Sequence, residues 1–463
     1  MSLDPAGDPL DVDALLDDPK TRIVVCCGSG GVGKTTTAAA LGLRAAERGR
    51  TVVVLTIDPA RRLAQSMGID SLDNVPRRVK DVQGAGELHA MMLDMKRTFD
   101  EIVEAHADAD RARAILSNPF YQSLSAGFAG TQEYMAMEKL GQLRSRDEWD
   151  LIVVDTPPSR SALDFLDAPK RLGSFLDGKL IRLLMAPAKV GGRAGMKFLN
   201  VGMSMMTGAL GKLLGGQLLR DVQTFVAAMD TMFGGFRKRA DATYRLLQAP
   251  GTAFLVVASP ERDALREAAY FVERLAADDM PLAGLVLNRV HGSGAAELSA
   301  ERALAAAERL EEEVAEGRGE QDAEGSVEGS GKAAGEGSGK DAGGAAEENL
   351  AAGGIVDQED GNVGLRNSSE SEAPNSPEAI GTSPSTKDDD SGASVEQLTA
   401  GLLRLHAERM RLLARERHTR DRFTALHPEV AVAEVAALPG DVHDLDGLRA
   451  IGERLAAATG DHA

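Results

Sequence analysis

Residues 28 to 35 read Gly28-Ser29-Gly30-Gly31-Val32-Gly33-Lys34-Thr35, a complete G-x-x-x-x-G-K-[ST] pattern. It follows the apolar run IVVCC (23 to 27) and precedes the alanine-rich stretch TTAAALGLRAAERG. That is the strand, loop and helix context the pattern requires. The glycines free backbone N–H groups to wrap an anion, and the N-terminus of the following helix adds a favourable dipole. Lys34 is placed to bridge β- and γ-phosphates, and the Thr35 hydroxyl to ligate Mg2+. The chemistry implied is binding of ATP with Mg2+ and phosphoryl transfer. The competing reading, a plain glycine-rich turn, does not explain the Lys-Thr pair at the helix start.

Two aspartates close neighbouring apolar runs: Asp58 after VVVLTI and Asp155 after LIVV. Open α/β sheets bind ligands at the carboxyl ends of their strands. A carboxylate there can hold Mg2+, directly or through water, or orient the attacking water. Thr35, Asp58 and Asp155 are therefore the candidate metal residues, and Lys34, Asp58 and Asp155 the candidate catalytic ones. The alternative is that each aspartate caps the next helix or turn.

The elements that must position these groups are legible in the rest of the chain. Short runs rich in β-branched residues recur at IVVCC, TVVVLT (51 to 56), LHAMML (88 to 93), DLIVVD (150 to 155), TAFLVVA (252 to 258), PLAGLVLN (281 to 288) and VAVAEVAAL (430 to 438). Runs without polar alternation imply strands buried on both faces. The expected fold is α/β: a doubly wound, mainly parallel P-loop sheet with an inserted α-helical subdomain. The core is expected over residues 21–95, 149–169, 248–310 and 395–463, with helical parts at 96–148 and 170–247 and an N-terminal tail at 1–20.

Residues 311–394 read as a disordered acidic loop: they contain no aromatic residue and are rich in Gly, Ser, Glu and Asp. A tolerated insertion is the blander account, since loop-closure cost grows slowly with length; a regulatory or partner-binding tail is the other. Beyond it, Val395, Leu398, Leu402 and Leu405 fall at helical spacing, so ordered structure is expected to resume there.

Composition narrows the function. Of the formal charge of −19, nearly all comes from residues 311 to 396, which hold 22 acidic and 5 basic side chains. The remainder is close to neutral, which removes the electrostatic argument for nucleic acid as a partner. The two cysteines, Cys26 and Cys27, are adjacent on a strand, point to opposite faces and cannot readily pair, consistent with a reducing compartment. The N-terminal stretch lacks the basic and apolar regions of a signal peptide, and no uncharged apolar run reaches the roughly 18 residues that a membrane span needs. A soluble, cytoplasmic protein is expected. The eight histidines show no metal-ligand spacing.

Taken together, CCGSGGVGKTT, TIDPARRLA, AGTQEYMAMEKL, VVDTPPSRSALDFLDAP, VLNR and LPGDVHDLDGL resemble, in order and spacing, the arsenite-pump and tail-anchored-protein-targeting ATPases, the ArsA/GET type of deviant P-loop dimeric ATPase. The resemblance covers roughly residues 20 to 295 and 396 to 458. It implies that Asp58 polarises the hydrolytic water, Thr36 assists at the phosphates, Asp155 senses the γ-phosphate and Mg2+, and Asn288 reads adenine. It also implies that a loop at Leu438-Pro439 closes over the base. The chain departs from the family at Ser29, where the signature lysine acting across the dimer would stand. It also lacks the C-x-x-C that would bridge zinc between subunits and any cysteine in the helical region.

These departures favour a heterodimer with a paralogue that keeps the lysine over a homodimer, and make arsenite activation doubtful. Met185, Met196, Met203, Met205, Met206, Met229 and Met232 crowd the second helical stretch. Flexible thioethers suit a groove for hydrophobic client helices, and equally the interior of a helical core. Alternatives to a client-coupled switch are a catalytically weak scaffold subunit, an ATPase energising an anion pump through a membrane partner, and, ranked last, a membrane-surface positioning ATPase.

Overall fold

The computed structural model describes residues 9–57, 62–119, 121–122, 131–157, 225, 235, 238–325 and 395–457. Among the described residues eight strands form one sheet: β1 Ile23–Cys27, β2 Thr51–Thr56, β3 Arg77–Arg78, β4 Glu87–Met92, β5 Leu151–Asp155, β6 Thr252–Ala258, β7 Leu282–Val290 and β8 Val432–Ala436. Their spatial order is β3-β4-β2-β5-β1-β6-β7-β8. Every pairing is parallel except that of β3 with β4. The two-residue β3, Arg-Arg and exposed, carries no apolar signal and was not legible as a strand; it pairs antiparallel at the sheet edge.

The described helices are α1 Val12–Asp17, α2 Lys34–Glu47, α3 Arg62–Ser66, α4 Met95–His106, α5 Ala109–Leu116, α6 Thr131–Arg146, α7 Arg262–Ala277, α8 Ala300–Gly325, α9 Val395–Leu426 and α10 Leu445–Ala457. The central strands β1, β5 and β6 are buried along their whole length because helices cover both faces. The period-2 geometry sorts their side chains into two cores. Ile23, Val25, Cys27, Ile152 and Val154 join one with Phe99, Ile102 and Met137 of α4 and α6, while Val24, Cys26, Val153 and the alanines of α2 join the other. Cys26 and Cys27 therefore lie on opposite faces, both free and buried.

The alanines at 38, 39, 40, 45 and 46 are all fully or almost fully buried, which lets α2 lie close on the sheet directly behind the glycine-rich loop. The expected N-terminal tail contains α1, capped by the Asp11 carboxylate on the Ala14 N–H. It is pinned to α2 by Asp13–Arg44 at 2.5 Å and by the ion pair of Asp17 with Arg48.

The described chain divides into two compact units, Met1–Ser299 with Glu408–Ala463, and Ala300–Ala407. In the second, α8 continues to Gly325, past residue 311 where the acidic loop was expected to begin. Glutamate and alanine are good helix formers, and high charge does not prevent a local hydrogen-bonded element as it prevents a core. Glu311 is also ion-paired with Arg404 of α9. Helix α9 does start at Val395, but the apolar stripe that announced it is exposed at Val395, Leu398, Leu402 and Leu405, and over residues 395–407 the buried positions are Ala400 and Ala407. The spacing identified the helix and not its buried face. The methionine-rich stretch lies, for every methionine named above, outside the described residues.

Candidate functional site

The site forms where β1 ends between β5 and β6, at the carboxyl edge of the parallel sheet. Gly28 turns the chain off β1 with φ +147°, and a β-carbon there would sit 2.1 Å from the Val257 carbonyl oxygen of β6. Gly33 caps α2 in the left-handed region at φ +94°. Between them Ser29 and Val32 are buried, while Gly30 and Gly31 are exposed. Lys34 begins α2 almost wholly buried, and its Nζ donates to the Ser29 carbonyl oxygen at 2.7 Å, which holds the ammonium against the loop.

Asp155 ends β5 with no solvent exposure. Thr35 Oγ1 donates to its Oδ2 at 2.8 Å, and Thr56 Oγ1, from the end of β2, donates to the same oxygen at 2.9 Å. Register makes this possible, since Asp155 pairs with Cys26 on one side and Thr56 on the other. A hydroxyl and a carboxylate oxygen are hard donors of the kind Mg2+ takes, so the residues present fit that ion. Burial first, and then the Asp155 carboxylate, holds the Cys26 thiol well above the usual range, against the opposing pull of Lys34.

Asp58 lies outside the described residues; Ile57, immediately before it in the sequence, donates its N–H to the Asp155 carbonyl at 3.0 Å. Two contributors were not singled out from sequence. Thr56 is the last residue of β2, and only register reveals its hydroxyl. Gln132, at the start of α6, donates from Nε2 to the Ile57 carbonyl at 2.9 Å and so ties the helical layer to the same strand end.

The residues expected to hold the base also come together. Asn288, buried at the end of β7, donates from Nδ2 to the Val32 carbonyl oxygen at 2.8 Å. A cavity of about 680 Å³ is lined by Gly33, Thr36, Asn288, Leu438 and Pro439, together with Arg289, His291 and Glu416. His291 Nδ1 and Glu416 Oε1 are 2.6 Å apart, an ion pair when the imidazole is protonated, joining the end of β7 to α9. Among the described residues no group of three or more His, Cys, Asp or Glu is arranged to hold a metal ion, and no helix is long and apolar enough to cross a membrane.

A glycine-rich strand-to-helix loop with a buried lysine, backed by a threonine and an aspartate at the mouth of a parallel sheet, defines a P-loop nucleoside triphosphatase. The profile of the anion-transporting ATPases matches residues 21–315, and the chain belongs to that family and is an ATPase. Curated relatives agree. ATPase GET3 of Malassezia globosa is 30% identical over 168 residues, 36% of this chain and 48% of the relative. ATPase GET3 of Podospora anserina is 25% identical over 281 residues, 60% of this chain and 76% of the relative. That of Schizosaccharomyces pombe is 32% identical over 181 residues, 39% of this chain and 52% of the relative. The chain thus spans about half the length of two of these relatives and three quarters of the third.

Proposed function

We propose that the chain is a Mg2+-dependent switch ATPase that couples its nucleotide state to a hydrophobic helical client or to a membrane partner. The observation that carries the nucleotide part is the convergence of Thr35 and Thr56 on one oxygen of Asp155, together with a Lys34 ammonium held against the Ser29 carbonyl of the loop. In this reading the backbone of residues 28 to 36 wraps the phosphates, and Lys34 neutralises charge developing on the γ-phosphate. Thr35, with Asp155 and Asp58, holds Mg2+ directly or through water, and Asp58 also orients the hydrolytic water. Asn288 reads adenine and Leu438-Pro439 closes over it, a role supported by their sharing one cavity with Gly33 and Thr36.

The protein works as a dimer in this proposal, and a heterodimer with a lysine-bearing paralogue is favoured because Ser29 offers a partner no cation. Its cargo would be gripped by the methionine-rich helical stretch. Calorimetry with Mg-ATP tests the core of the reading: wild type should bind, and Lys34→Ala should lose most of the heat and the hydrolysis. Undiminished binding by that variant would sink it. For the heterodimer, full hydrolysis by the isolated chain with no gain from Ser29→Lys would remove the reason for a second subunit.

A further inference from the structure

Arg289 is the extra residue of a bulge between β7 and β8: Asn288 pairs with Val435 and Val290 with Ala436, and Arg289 has no partner in the register. Its φ is +62°, a left-handed conformation that a residue with a β-carbon adopts only at a cost. Its guanidinium is exposed and has no hydrogen-bond or ion-pair partner among the described residues. Strain held at an exposed, unpaired cation is not explained by packing, and strained backbone tends to persist where it aims a side chain.

What it is aimed at follows from the cavities. Arg289 lines the 680 Å³ base cavity and also a second cavity of about 460 Å³ formed by Ser29, Gly30, Gly31 and Val32. Among the described residues it is the one lysine or arginine lining either cavity, whereas the second is also lined by Glu261, Asp263 and Glu267. Asp263 is already paired with Arg266 at 3.1 Å. His291, on the base side, is paired with Glu416. Lys34, the loop's own cation, is held against the Ser29 carbonyl at its buried end. A triphosphate lying between the base cavity and the loop therefore meets Lys34 from inside the loop and Arg289 from the base side.

We infer that Arg289 is a phosphate-binding residue of the same chain's nucleotide site, gripping the polyphosphate from the base side, a deepening that rests on the nucleotide reading above. Asn288 and Arg289 then divide two tasks between adjacent residues, the bulge turning one inward to the loop and the other out over the ligand. Guanidinium is suited to this because its fork takes two phosphate oxygens at once.

The test compares wild type with Arg289→Gly and Arg289→Lys by calorimetry, using ATP, ADP and adenosine with Mg2+ at low and high salt. Glycine adopts positive φ freely, so Arg289→Gly should keep or raise the urea midpoint while weakening ATP about 10-fold or more, ADP less and adenosine hardly at all. Its ATP affinity should also fall less steeply with salt, and Arg289→Lys should restore part of the affinity and of the salt dependence. Equal losses for ATP and adenosine would mean that the guanidinium contacts the base, and no loss that it contacts nothing; either overturns the inference while leaving nucleotide binding intact. If wild type binds no ATP, the nucleotide reading itself falls, and this assignment with it.

Discussion

Thr35 and Asp155 stand 120 residues apart in the chain, yet the hydroxyl of one donates to the carboxylate of the other at 2.8 Å. The bond crosses from the first turn of α2 to the last residue of β5, and Thr56 supplies a second donor to the same oxygen. Asp155→Asn keeps the shape and removes the charge. Hydrolysis should fall about 100-fold, with half-saturation by Mg2+ moving upward and ATP binding without metal little changed. Near-normal turnover and metal dependence in this variant would mean that Asp155 only braces the threonines.

Gly28 leaves β1 against the backbone of β6, where an added β-carbon would meet the Val257 carbonyl oxygen at 2.1 Å. Gly28→Ala combines a disfavoured backbone angle with overpacking against an unyielding partner, so a loss of about 3 kcal/mol is expected. Urea unfolding measures it; a midpoint equal to wild type would show that the loop relocates freely, contrary to a preformed phosphate cradle.

Cys26 and Cys27 are fully buried on opposite faces of β1. Burial pushes the Cys27 thiol up to about 12 and Cys26 well above its ordinary value, so both remain protonated at any pH near neutrality. The thiolate is the reactive species, and neither should be alkylated by iodoacetamide in the native protein at pH 8. Both should react in denaturant. Rapid native labelling of either would contradict the burial of the central strand β1 between its two helical layers.

His89, on β4, packs edge-on to the Trp149 ring with centroids 4.9 Å apart. Burial depresses its pKa below 6.5, with Glu87 opposing and Arg78 assisting the shift. The unfolded chain therefore binds the proton more readily than the folded one, and stability must fall as the pH drops below about 6.5. The contribution is present above that value and is lost on the acid side. Urea midpoints at pH 7.5 and 5.5 should differ by more in wild type than in His89→Phe; identical pH slopes would exclude the histidine as the source.

Much of this was readable before folding because it is local. The phosphate loop declares itself through consecutive residues whose backbone freedom, charge and hydroxyl serve one ligand. Likewise the runs IVVCC, TVVVLT and TAFLVVA mark buried parallel strands, since only helices on both faces excuse so much apolar side chain. Strand β3 escaped because two exposed arginines carry no pattern. The beginning of the expected acidic loop moved because helix formation depends on neighbours along the chain, and glutamates supply it without a core. The stripe from Val395 to Leu405 showed the helix by spacing, yet the alanines turned inward.

The chain's order of residues by itself determined the chemistry on offer: a glycine cradle, one ammonium, hydroxyls and carboxylates at strand ends, and a fold class able to present them. Tertiary structure alone decided who meets whom. The order of strands set Asp155 between β1 and β2, so that two threonines share one carboxylate oxygen. The bulge after Asn288 joined the amide to Val32 and set Arg289 over two cavities. Such pairings depend on sheet register and crossover, which act between segments a hundred or more residues apart and leave no periodic trace in either one.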